Sequence, residues 1–169
     1  MNQLCELNDR VILGQEGRSA QKPRVTARAI VRNQDGRYAV MHSMVFQLYT
    51  LPGGGVEHGE TVLEALQREI SEETGCSCRR IQELGMVAEN RASLDYTQIN
   101  HYYVVDAVPG PRQIHLTEDE RASRTNVEWH SWEEMLALIS QQKADTVQRK
   151  YLKARDLAAL QAYEERMIP

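Results

Sequence analysis

Three glutamates in one short stretch could do chemistry together. Glu69, Glu72 and Glu73 stand in GGGVEHGETVLEALQREISEETGC, residues 53–76, which opens on three glycines. Residues 61–74 hold neither Gly nor Pro and are rich in Leu, Ala and Glu, so they read as a helix that Gly75 ends. On a helix, positions i, i+3 and i+4 share a face, and like charges at that spacing repel. A divalent cation would offset the repulsion, because hard ions such as Mg²⁺ and Mn²⁺ prefer carboxylate oxygens and leave positions open for phosphate. The wheel supports this reading. At about 100° per residue from Val62, Leu66, Ile70 and Leu63 fall near 40°, 80° and 100°, while Glu72, Glu69 and Glu73 fall near 280°, 340° and 20°. The acids border the apolar stripe, as the lining of a cleft would; a solvated acidic face would lie opposite it.

The same stretch resembles the Nudix box, G-x5-E-x7-R-E-U-x-E-E-x-G-U, with U a bulky aliphatic residue. Gly54, Glu60, Arg68-Glu69-Ile70, Glu72-Glu73 and Gly75 match in type and spacing; Cys76 replaces the last aliphatic residue. The resemblance implies an α/β fold, an α/β/α sandwich with a mixed sheet, and metal-dependent hydrolysis of a nucleoside diphosphate linked to another group, with Mg²⁺ or Mn²⁺. By position it makes Glu72 and Glu73 the principal metal ligands. Glu69 becomes a further ligand or the residue that orients or deprotonates the attacking water, and the Gly53 carbonyl adds a donor. Arg68, beside this catalytic set, pairs with Glu60 to fix the glycine loop on the helix; Gly54, Glu60 and Gly75 support the site. Family members often recruit one more acid from a later loop, and here Glu118, Asp119 and Glu120 are the candidates, with Glu57 a weaker one. The alternative reading is a Nudix-like sensor that binds a nucleotide without cleaving it. The intact glutamate set argues against that, and no basic recognition helix stands out.

Subfamily marks do not select a substrate. The Pro that ADP-ribose pyrophosphatases tend to carry beyond the box is replaced by Glu89-Asn90-Arg91-Ala92, and Tyr96 is near, but not at, the place of the diadenosine polyphosphate Tyr. Phe46, Tyr96, Gln98, Asn100 and Tyr102 are the candidates to read a base or sugar by stacking and hydrogen bonds. Alternation in the strand equally allows one of Tyr102 and Tyr103 to be a core residue instead. His58 and His101 read as structural or solvated, since no His-rich constellation surrounds them.

The positioning elements come from periodicity. Residues 24–32 alternate as a strand, Asn33-Gln34-Asp35-Gly36 is a turn and 37–42 the returning strand; a looser segment then runs to Leu51, and Pro52-Gly53-Gly54-Gly55 breaks regular structure. Strands are expected at 78–89, 97–108 and 127–129, and helices from a Ser131 cap to about 141 and over 145–166. Val147, Tyr151, Ala154, Leu157 and Ala158 form the expected core stripe of the last helix. Residues 1–22 are weakly periodic and read as an extension packed on a single domain spanning 23–169.

A chain of 169 residues suits one domain, and 41% hydrophobic with 26% charged residues argues against disorder. A net charge of −4 argues against duplex nucleic acid, though not against small nucleotides held through metal ions. No stretch approaches the roughly 20 apolar residues of a membrane helix. Cys5, Cys76 and Cys78 without a secretory signal read as reduced thiols in a cytoplasmic protein. A homodimer through residues 1–22 or the last helix stays open.

Overall fold

Strand β2 (Arg24–Arg32) organises the sheet. It pairs in parallel with β7 (Tyr96–Pro109) and, antiparallel, with β3 (Tyr38–Ser43) at its C-terminal end and β5 (Gly53–Gly55) further back. β7 pairs antiparallel with β6 (Cys76–Arg91), which pairs in parallel with β1 (Gln3–Asn8). β3 also carries β4 (Leu48–Thr50) and β8 (Thr125–His130), both antiparallel. The sheet order is β1-β6-β7-β2-β3-β4, and the sheet is mixed. In this computed structural model residues 1–111 and 113–167 are described.

Helices cover both faces. Ala27, Ala29 and Val31 pack against Ala65, Leu66 and Ile70 of α2 (Val62–Thr74). The two alanines keep the sheet surface low, so the helix lies close to it. On the opposite face Ile30, Val40, Tyr102 and Val104 share a core with Met135 and Ile139 of α4 (Trp132–Gln141) and Tyr151, Leu160 and Tyr163 of α5 (Val147–Met167). The architecture is the expected α/β/α sandwich. Short helices α1 (Asp9–Leu13) and α3 (Glu118–Ala122) complete it. No helix among the described residues is long and apolar enough to cross a membrane.

The structure departs from the sequence reading where partners are distant. Within 1–22, residues Gln3–Asn8 form an edge strand held by β6. The glycine run does not break the sheet: it is β5, ordered by pairing with β2. The buried face of α5 is also rotated from the expected stripe. Tyr151 is buried, but Ala154, Leu157 and Ala158 are only partly so, and Arg155 and Asp156 lie inside with Ala159 and Leu160.

Candidate active site

Local sequence sets the register of α2. Thr61 accepts from the Glu64 amide while the Glu64 carboxylate accepts from the Thr61 amide, a reciprocal cap. Gly75 ends the helix in the left-handed conformation. This registry turns Glu69 and Glu73 towards β5. A Cβ on Gly54 would lie 2.3 Å from Glu69 Oε1, and one on Gly53 (φ 129°) would lie 2.2 Å from the Ala27 carbonyl oxygen. Only glycine therefore lets the loop pass between β2 and the carboxylates.

Arg68 gathers the outer acids. Its guanidinium donates to Glu60 Oε1 at 2.6 Å, to the Gly55 carbonyl at 2.9 Å, to Glu69 Oε1 at 2.8 Å and to Glu72 Oε2 at 3.3 Å. Glu60 also accepts from the Glu57 amide. The Arg68 bonds come first in holding Glu60 below the usual carboxylate range, with the Glu57 amide adding to them. Glu69 titrates above its ordinary range, because burial and the nearby charges of Glu72 and Glu120 outweigh Arg68. Glu73 is 6% exposed. Its Oε2 accepts from the Gly53 amide at 2.7 Å, yet burial and the like charges of Glu69 and Glu120 push its carboxyl well up.

The site is short of positive charge, and its donors are hard carboxylate and carbonyl oxygens beside a cradle that a Cβ would fill. Those residues fit a divalent cation. Among the described residues no three Asp, Glu, His or Cys side chains already converge on a metal position. Arg68 and the Gly53 amide hold the carboxylates instead.

Of the later acids, Glu120 on α3 is the one whose charge reaches both Glu69 and Glu73. Glu118 and Asp119 are exposed at the start of the same helix. The loop before α3 docks on α2 through the His115 amide, which donates to the Glu72 carbonyl at 2.8 Å.

The candidate base-reading residues scatter. Tyr102 and Tyr103 are both buried, one on each face, and the Tyr102 hydroxyl donates to Asp156; Tyr102 is therefore a core residue and not a ligand contact. Gln98 is also withdrawn from solvent, with its amide donating to Glu89 and Asn100 and its carbonyl accepting from Tyr96. Strand alternation puts positions 98 and 102 on one face, but could not show that α5 covers Tyr102. Phe46 is exposed on the turn between β3 and β4, its carbonyl held by Arg149 of α5.

A family model described as NUDIX domain matches residues 22–154. The chain belongs to the Nudix family. Membership makes it a pyrophosphohydrolase. No curated protein sequence matches it. Among solved structures, a NUDIX hydrolase from Nitrosomonas europaea is 24% identical with a TM-score of 0.58, covering 79% of this chain and 88% of that one. A MutT NUDIX hydrolase from Burkholderia pseudomallei is 21% identical with a TM-score of 0.52, over 80% and 98%. An ADP compounds hydrolase is 18% identical with a TM-score of 0.61, over 86% and 74%. At these identities the likeness is one of fold.

Sequence reasoning passed over one Nudix-loop neighbour. Arg28 Nη1 donates to the Gly53 carbonyl at 3.1 Å and to the Leu51 carbonyl at 3.3 Å. An arginine amid Val25, Ala27, Ala29 and Ile30 was the available signal.

Proposed function

We propose that this Nudix enzyme hydrolyses the diphosphate bridge of a nucleoside diphosphate linked to another group, a nucleotide sugar, dinucleotide or (d)NTP, using Mg²⁺ or Mn²⁺. The observation that carries the reading is Glu73. It is a buried carboxylate with one backbone N–H for a partner and two further carboxylates near enough to raise its pKa.

Glu69, Glu72, Glu73 and the Gly53 carbonyl would hold the cation, with Glu120 as the later acid in preference to Glu118. When bound, the metal neutralises phosphate charge and acidifies a coordinated water. Arg68 keeps Glu69 and Glu72 on the cleft side of α2 and ties the helix to Glu60 and Gly55. Glu69, held by Arg68 beside Gly54, is the alternative choice to orient or deprotonate the attacking water. Glu60, Gly54 and Gly75 act on the geometry and touch no substrate. Tyr96, partly buried at the edge of β7, is the remaining aromatic for a base, and Phe46 the exposed one.

Release of nucleotide and phosphate is the direct test. The panel is ADP-ribose, NADH, diadenosine polyphosphates, nucleotide sugars, (d)NTPs and 8-oxo-dGTP, with Mg²⁺ and with Mn²⁺, each beside Glu73→Gln. Turnover of one compound, lost in the variant, is the expected result. Silence across the panel while a nucleotide still raises Tm would replace hydrolysis by binding alone.

A further inference from the structure

Helix α5 continues past residue 154, where the family match ends, and the next two residues are charged and buried. Arg155 is 3% exposed and Asp156 is fully buried, on a face otherwise made of Tyr151, Ala159, Leu160 and Tyr163. Buried charge is costly unless every lone pair and proton is used. Asp156 uses both oxygens. Oδ2 accepts from the Leu51 amide at 3.0 Å, and Oδ1 accepts from the Tyr102 hydroxyl at 2.5 Å and Arg155 Nε at 3.2 Å.

The Leu51 amide is the first of an unbroken series. The Leu51 carbonyl accepts from Arg28, the Pro52 carbonyl from the Ala29 amide at 3.0 Å, and the Gly53 carbonyl again from Arg28. The Gly53 amide donates to Glu73. Every backbone polar group from Leu51 to Gly53 thus has a named partner, two of them supplied by Arg28 and one by Asp156. Arg28 reaches both carbonyls while its own Nε is buried without a partner among the described residues. That orphan costs stability, so the side chain is better explained by where it holds the loop than by what it adds to folding.

Building on the metal reading above, we propose that Asp156 and Arg28 brace the 51–53 segment so that the Gly53 carbonyl and the Glu73 carboxylate stand ready for the cation, which makes α5 beyond residue 154 a working part of the active site. Both are positioning residues. Asp156 fixes where the segment enters, and Arg28 fixes the direction of the Gly53 carbonyl. The Gly53 amide passes that placement to Glu73.

The test is Mn²⁺ binding by the full chain without substrate, followed by electron paramagnetic resonance of free Mn²⁺, in wild type, Asp156→Asn, Arg28→Lys and Tyr163→Phe. Loss of a group that orients metal ligands weakens metal about tenfold or more. Asp156→Asn and Arg28→Lys are expected to do so, and to raise the Mn²⁺ needed for half-maximal turnover in step, with KM for the nucleotide unchanged at saturating metal. Tyr163→Phe, also on α5, removes the hydroxyl pair with Tyr38 of β3, so it lowers Tm while Mn²⁺ binding stays at the wild-type level. Binding within twofold of wild type in both brace variants overturns the proposal, as does an equal loss in Tyr163→Phe. Should Asp156→Asn not fold, Arg28→Lys decides alone, since it preserves charge. Absence of Mn²⁺ binding by the wild type would overturn the metal reading and the brace together; wild-type binding with unchanged variants overturns the brace only.

Discussion

Glu73 and Glu89 are almost equally hidden, at 6% and 3% exposed, but their surroundings differ in kind. Glu89 is complete. Arg91 pairs with one oxygen, and the other accepts from Asn100 at 2.7 Å and Gln98 at 3.4 Å. Glu73 has a single backbone donor, and the like charges of Glu69 and Glu120 outweigh the one opposite charge, Arg28, that reaches it. A buried acid that the protein itself satisfies contributes to the fold. One left with like charges around it contributes to binding, because a ligand of opposite charge gains what the protein has left unmet.

The sharpest way to break this contrast is to neutralise each acid. Glu73→Gln is expected to lower turnover about a thousandfold, given several kcal/mol of metal-derived stabilisation and 1.4 kcal/mol per decade, with Tm essentially kept. Steady-state rates beside a thermal melt check this, and a rate within tenfold of wild type would remove Glu73 from the site. Glu89→Gln should do the reverse. It strands buried Arg91, costs about 3 kcal/mol and lowers Tm by roughly 10 °C, while turnover per folded molecule stays. Rate loss in well-folded protein would make Glu89 more than structural.

Glu120→Gln against Glu118→Gln tests how far the unmet charge extends. About a tenfold loss of turnover is expected for the first, equivalent to 1.4 kcal/mol, and none for the second; equal effects would point to the helix cap with Thr117 instead.

A comparably small effect belongs to another satisfied acid. Asp9 is 2% exposed. Burial pushes its carboxyl up, but bonds from the Tyr151 hydroxyl and the Ser93 amide, both 2.6 Å, bring it below the usual range. A depressed carboxylate stabilises the fold above its unfolded pKa and loses that stabilisation as pH falls through the folded one. Asp9→Asn is therefore expected to cost about 1.5 kcal/mol at pH 7, with the difference closing below about pH 4. Melts of both proteins across pH measure it, and a gap that widens in acid would contradict the assignment.

Most of α2 was legible because its determinants are near in sequence. The glutamate spacing and Gly75 act within a few residues, as does Thr61, read as helical and found to be the cap, and the long strands announced themselves by alternation. The glycine run was misread for the opposite reason: Gly53–Gly55 has no strand propensity, and its order comes from β2. Tyr102 and Gln98 were offered as ligand contacts, yet what covers Tyr102 is decided by a helix far along the chain. The expected α5 stripe does pack on the core, but the most buried face is turned from it, and the charge of Arg155 and Asp156 hid their burial.

The sequence by itself determined that this chain carries the Nudix glutamates on a capped helix, because turn-scale hydrogen bonds and periodicity fix such geometry locally. Only the tertiary structure decided which acids are left short of partners. That balance depends on the charges and donors that β5, α3 and α5 bring from 20 to more than 100 residues away in the chain.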